Sequence, residues 1–138
     1  MPSVTIECFL DTNVLIYAAS GKIDDPRRHA IAYRLVVETQ FAVTGQTLAE
    51  FCNVTRQKGL LPDREIEGWL DRLGELPFVP VDQSYVLAGF DAARRYRLKY
   101  CDAALVAAAE RLGAPIFYTE DLNHGQVYGS VRAINPFL

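Results

Sequence analysis

Asp11, Glu50, Asp102 and Asp121 stand far apart in the chain, and Asp11 and Asp102 interrupt apolar runs in "CFLDTNVLIY" and "YCDAALVA". Bringing such acids together is costly. Like charges about 4 Å apart repel by about 4 kcal/mol per pair at an effective dielectric near 20, against a total stability of roughly 5–15 kcal/mol. A divalent cation, or retained protons, must offset that repulsion. With oxygen donors and no His or Cys cluster nearby, the donor set suits Mg²⁺ or Mn²⁺. Such an ion can activate a water as nucleophile and clamp a scissile phosphate for in-line attack.

The surrounding elements give the four acids a common place. Apolar runs rich in Val, Ile and Phe alternate with segments of helical period, which predicts an α/β fold in one domain over residues 1–138. "VTIECFL", "FAVTG", "FVPV", "PIFYT" and "VRAIN" read as strands, with Pro80 favouring an edge for the third. Helices are expected over "TNVLIYAAS"; over "DDPRRHAIAYRLVVET", capped by Asp25 with Pro26 in the first turn; and over "TLAEFCNVTRQKG", ended by Gly59. A further helix, "REIEGWLDRLG", is expected to be capped by Asp63, with Ile66, Leu70 and Leu73 on one face. A helix from about Ser84 to Leu98 is expected to bury Val86, Phe90 and Ala93, and "DAALVAAAERLG" to end at Gly113.

Strands separated by helices lie parallel with right-handed crossovers, and ligands bind at the carboxyl ends of such strands. Asp11 follows the first strand and Asp121 the fourth, while Glu50 lies one helical turn beyond the loop after the second. Asp102 begins a helix that must run back to the fourth strand, so its N-terminus lies at the same edge.

Each acid also has a local explanation. "TLAE" fits a capping box from Thr47 to Glu50, Asp102 can cap its own helix, Asp121 can belong to a polar turn, and Asp11 can cap the helix beginning at Thr12. Asp82 also follows a strand but is expected to cap the Ser84 helix, and His29 and His124 read as surface or hydrogen-bonding residues. These caps account for the acids one at a time and leave their common edge to chance.

Half the 138 residues are hydrophobic, enough for a real core, and the longest apolar run, Ala103 to Ala109, is too short to span a bilayer. Neither a signal peptide nor a disulfide framework is indicated: Glu7 and Asp11 break the N-terminal segment, and Cys8, Cys52 and Cys101 are odd in number and widely spaced. A cytoplasmic protein with reduced thiols and no membrane contact is expected. The formal net charge of −3 argues against a simple nucleic-acid coat protein. A local basic patch can still grip a polyanion. "ARRYRLKY" supplies Arg94, Arg95, Arg97 and Lys99 just before Asp102, either as phosphate contacts or as a solvated helix face with Tyr96 and Tyr100 in the core, and Arg27, Arg28, Arg56 and Lys58 are further cations.

The segments "FLDTNVLIYA", "TLAEFCNV", "YCDAALVAAAERLG", "YTEDLNHGQ" and the closing "INPFL" together resemble the PIN-domain family, particularly its VapC-like toxin ribonucleases, over essentially the whole chain. The resemblance implies a three-layer α/β/α sandwich around a mostly parallel sheet and an Mg²⁺-dependent endoribonuclease activity. It implies Asp11, Glu50, Asp102 and Asp121 as the catalytic acids. Asp11, Asp102 and Asp121 would hold metal, Glu50 would help position metal or water, and Thr12, Asn13 and Thr119 would support the acids by hydrogen bonding. A small antitoxin, a homodimer and an RNA substrate are the implied partners. Cys101 departs from the pattern, which often has an aromatic residue there, and Glu120 beside Asp121 is a second candidate for the fourth role. Two other classes are weighed against this one: a non-catalytic RNA- or protein-binding module, and a phosphatase with Asp11 as nucleophile. The second lacks its usual partner acid, because position 13 is Asn.

Overall fold

Side-chain alternation along the first two strands decides the layering. Cys8 and Leu10 of strand β1 (Cys8–Leu10) face one apolar cluster and Phe9 the other; in β2 (Phe41–Thr44), Phe41 and Val43 join the first cluster and Ala42 the second. The sheet is therefore buried on both faces, as parallel sheets require. The structure, a computed structural model, describes residues 5–138. The start of the first expected strand, Val4, lies outside the described residues.

Helices α1 (Thr12–Ser20), α2 (Pro26–Glu38), α3 (Gly45–Gln57) and α4 (Asp63–Leu73) contribute to the first cluster. Helices α5 (Gln83–Tyr96) and α6 (Tyr100–Leu112) cover the other face. The remaining strands are β3 (Phe78–Val79), β4 (Ile116–Tyr118), β5 (Val127–Tyr128) and β6 (Val131–Ile134). Their order across the sheet is β3-β2-β1-β4-β6-β5, with all neighbours parallel except the β5–β6 hairpin. The result is an α/β/α sandwich. The chain steps outward from β1 to β3, then returns to place β4 on the other side of β1. With right-handed crossovers, that reversal moves the helices to the opposite face, and it opens a crevice between the carboxyl ends of β1 and β4.

Most punctuation falls where expected. Asp25 caps α2 with Pro26 in its first turn, Asp82 caps α5 through the Tyr85 N–H, and Gly59 and Gly113 take positive φ after their helices. The edge position of β3 agrees with Pro80. Asp63 does not cap α4: Pro62 holds that position, and the Asp63 carboxylate pairs with Arg56 at 3.2 Å. The two-residue strand β5 is absent from the sequence reading, although "VYGSV" carries its turn signal, with Gly129 at φ 61. No helix among the described residues is long and apolar enough to cross a membrane.

The expected face of α5 is displaced by one residue. Tyr85, Gly89 and Ala92 are buried, whereas Val86 is 45% and Phe90 56% exposed, and Ala93 is half-buried. Close approach to α6 explains the choice. A Cβ built on Gly89 would lie 2.8 Å from both Ala104 Cβ and Tyr100 Cε1, so the contact takes small residues and sends the larger ones outward. Gly89→Ala should therefore destabilise the fold by about 1–3 kcal/mol, measurable by urea unfolding. An unchanged midpoint would show that the helices part without cost.

Candidate metal centre

β1 ends at Leu10, and Asp11 caps α1: the Thr12 N–H donates to Oδ1 at 2.8 Å. The Thr119 hydroxyl, just past β4, donates to Oδ2 at 2.8 Å. Asp11 is therefore both cap and crevice acid, and it is only 7% exposed. Burial pushes its carboxyl up to about 7, and the Asp121 charge adds to this; the bonds from Thr119 and Thr12 oppose it.

Asp102 and Asp121 meet Asp11 across the crevice, with one carboxylate oxygen from each of the three within 4.8 Å of the others. Lys99 precedes α6 as its cap residue, so Asp102 lies inside the first turn and is not the cap. Burial raises its carboxyl above the usual range, as do the charges of Asp121 and Glu50, while Lys99 opposes the rise. The Asp121 backbone N–H donates to the Thr119 hydroxyl at 3.1 Å, so one threonine orders both acids.

Glu50 lines the same cleft without belonging to the trio. Its capping-box explanation fails because α3 starts at Gly45 with Thr44 as cap, which places Thr47 inside the helix. The Glu50 oxygens instead accept from the Thr12 hydroxyl at 2.8 Å and from the Gln46 amide at 3.3 Å. Thr12 and Thr119 thus each donate a hydroxyl hydrogen bond to an acid, Glu50 and Asp11 respectively. Asn13 is exposed on the cleft wall, and its side chain makes no hydrogen bond to an acid among the described residues. Glu120 turns away and pairs with Arg28 at 3.2 Å, leaving Asp121 as the acid of that pair in the cluster.

The basic segment divides. Arg94 and Arg95 both pair with Asp91 on the exposed side of α5. Arg97 and Lys99 instead line a cleft of about 650 Å³ that also contains Asp102 and Asp121, within the roughly 300–1,000 Å³ typical of ligand sites. His29 and His124 engage main-chain groups near Tyr17 and Asn135, respectively. Gln46 is the cleft residue that sequence reading missed. Its i,i+4 spacing to Glu50 was the available signal.

The donor chemistry fits a hard divalent cation. Three carboxylates converge without nitrogen or sulfur ligands, and their spread compares with about 4.2 Å across an Mg²⁺ octahedron, leaving room for water as a ligand. Burial is the main cause of the raised Asp11 and Asp102 carboxyls, and the Asp121 charge adds to the rise at both.

The family model described as "PIN domain" matches residues 8–130. Comparison with curated protein sequences finds no match. Among solved structures, the chain is similar to a toxin–antitoxin complex from Klebsiella pneumoniae (TM-score 0.70, 17% identity, 94% of this chain and 98% of that one). It is also similar to VapC20 of Mycobacterium tuberculosis, a sarcin–ricin-loop-cleaving toxin (TM-score 0.66, 16% identity, 83% and 90%). A third similar structure is DNA-bound VapBC from Salmonella typhimurium (TM-score 0.62, 19% identity, 94% and 97%). At these identities the likeness is one of fold.

Proposed function

The chain belongs to the PIN-domain family, and on that premise we propose that it is an Mg²⁺- or Mn²⁺-dependent endoribonuclease, the toxin of a toxin–antitoxin pair. The observation that carries this reading is the convergence of Asp11, Asp102 and Asp121 at the β1–β4 crevice, with Glu50 on its wall. Asp11, Asp102 and Asp121 would hold the cation. When bound, the cation supplies charge neutralisation at phosphate oxygens and a more acidic water. Thr119 orients Asp11 and the loop carrying Asp121, while Thr12 fixes Glu50 where it can orient the attacking water. Arg97 and Lys99 would hold flanking RNA phosphates in the adjoining cleft. Arg94 and Arg95, occupied by Asp91, would contribute less.

Purified protein should cleave RNA only with Mg²⁺ or Mn²⁺. Sequencing the RNA ends made by wild-type protein and absent with Asp11→Asn tests catalysis and identifies the substrate together. Metal-independent cleavage, or full activity in that variant, overturns the reading. One solved structure of similar fold is a toxin–antitoxin complex. Exposed Tyr33 and Val37 on α2, and Val86, Leu87 and Phe90 on α5, offer apolar surface for an antitoxin and a second copy of the chain.

Arg97 carries a separate prediction. It ends α5 in the left-handed region at φ 56, which costs an L-residue roughly 1–2 kcal/mol. Arg97→Gly should stabilise the fold by about 0.5 kcal/mol once the added freedom of the unfolded chain is counted. It should also weaken RNA binding and flatten its logarithmic salt dependence by about 0.7. Denaturation and cleavage assays across a salt series check both effects; unchanged RNA affinity would remove Arg97 from the binding surface.

A further inference from the structure

Glu50 is held from both sides, and one of its partners is itself held. Gln46 Nε2 lies 3.3 Å from Glu50 Oε1 and 3.1 Å from the Cys101 carbonyl oxygen. Tyr85, 3% exposed, donates its hydroxyl to Gln46 Oε1 at 2.9 Å. Chemistry decides which way the amide faces. A carboxylate and a main-chain carbonyl only accept, so the NH₂ group must point at Glu50 and Cys101. The oxygen is left for a donor, and the Tyr85 hydroxyl is that donor. Burial pushes this phenol up to about 12, so it keeps its proton throughout the physiological range.

These contacts join four helices around one acid. Tyr85 comes from α5, Gln46 and Glu50 from α3, Thr12 from α1, and the Cys101 carbonyl from the first turn of α6, next to Asp102. Gln46 therefore sets the position of Glu50 and also ties it to the helix that carries a metal-cluster acid. We infer that Gln46 and Tyr85 are positioning residues of the acidic centre: Tyr85 locks the Gln46 amide, and Gln46 holds Glu50 in register with Asp102. The inference rests on the nuclease reading and extends it to two residues outside the acidic set.

A double-mutant cycle tests the order of action. Gln46→Ala, Tyr85→Phe and the double variant are compared by Mn²⁺ dissociation constant, read from the electron paramagnetic resonance signal of free Mn²⁺, and by kcat and KM for RNA cleavage. Partners that orient metal-site groups cost about 10–100-fold when removed. Gln46→Ala is accordingly expected to weaken Mn²⁺ binding and lower kcat by about tenfold, with KM within about twofold of wild type. Tyr85→Phe keeps the buried ring and should lose about threefold in both. The double variant should be no worse than Gln46→Ala alone, because Tyr85 acts through the amide.

If both single variants keep wild-type Mn²⁺ affinity and kcat, the inference is overturned. If the Tyr85→Phe loss multiplies undiminished on top of Gln46→Ala, Tyr85 acts on packing and the inference also fails. Asp11→Asn in the same assays separates this failure from that of the parent reading. Loss of metal binding and cleavage in Asp11→Asn beside silent Gln46 and Tyr85 variants sinks only the positioning roles. An active, metal-binding Asp11→Asn sinks the nuclease reading itself.

Discussion

Asp11→Asn is expected to lower RNA cleavage by on the order of 10³-fold or more while making the metal-free protein more stable. The two effects share one cause. The replacement is nearly isosteric, and its amide oxygen can still accept from the Thr12 N–H that caps α1. The Thr119 hydroxyl, which donates to Asp11 Oδ2, can rotate to accept from the new NH₂ group. The fold therefore keeps both partners of residue 11, gives up the bond that the Thr119 O–H donated, and loses a buried charge beside Asp121. The carboxyl is raised from 3.8 to about 7, which at about 1.4 kcal/mol per pH unit corresponds to about 4 kcal/mol of opposition once it ionises. Allowing for relaxation, Asp11→Asn should gain roughly 2–3 kcal/mol at pH 8 in EDTA, measured by urea unfolding. A destabilised variant would mean that Asp11 serves the fold more than the site. An active one would remove it from the chemistry.

Metal-free wild-type protein should lose stability as pH rises from about 5 to about 8, and Mn²⁺ should restore it. Between the ordinary carboxylate value of 3.8 and about 7, folded Asp11 holds a proton that the unfolded chain has released. Where the folded state binds more protons, stability falls with rising pH. This contribution is fully present below the unfolded value and is lost as pH rises through about 7. Asp102, also raised, acts in the same direction. Asp25, lowered by bonds from the Arg28 N–H and guanidinium, and Asp82, lowered by bonds from the Ser84 hydroxyl and the Tyr85 N–H, act in the opposite direction, but at more acid pH, so the window above 5 isolates the crevice. At pH 8, Mn²⁺ at a hundred times its dissociation constant should return about 2.7 kcal/mol. Thermal unfolding with EDTA or Mn²⁺ across that window measures both halves. A flat profile in EDTA, or no Mn²⁺ effect at pH 8, would show that the acids are not poised for a cation.

Much of the scaffold could be read locally. Asp25 with Pro26, Asp82, Gly59 and Gly113 mark helix boundaries because capping and positive φ depend on a few neighbouring residues. The common edge of the acids was legible because parallel strands and returning helices leave few places for their ends. The buried face of α5 was not. Its candidate stripes through residues 85 and 86 are both apolar enough, and only the approach of α6 to Gly89 separates them. The roles of the four basic residues were equally hidden, since pairing with Asp91 or facing the cleft depends on where the helix ends.

The sequence by itself determined the alternating elements, the family resemblance and the sheet edge on which the candidate acids fall, because these follow from local periodicity and motif order. The tertiary structure decided which acids share one small volume, that Glu120 leaves for Arg28 while Asp121 stays, and that Gln46 and Tyr85 stand behind Glu50. The physical reason is range. A turn or a cap is settled within a few residues, but a hydrogen bond from Tyr85 to Gln46 or from Thr119 to Asp11 exists only after distant segments have packed.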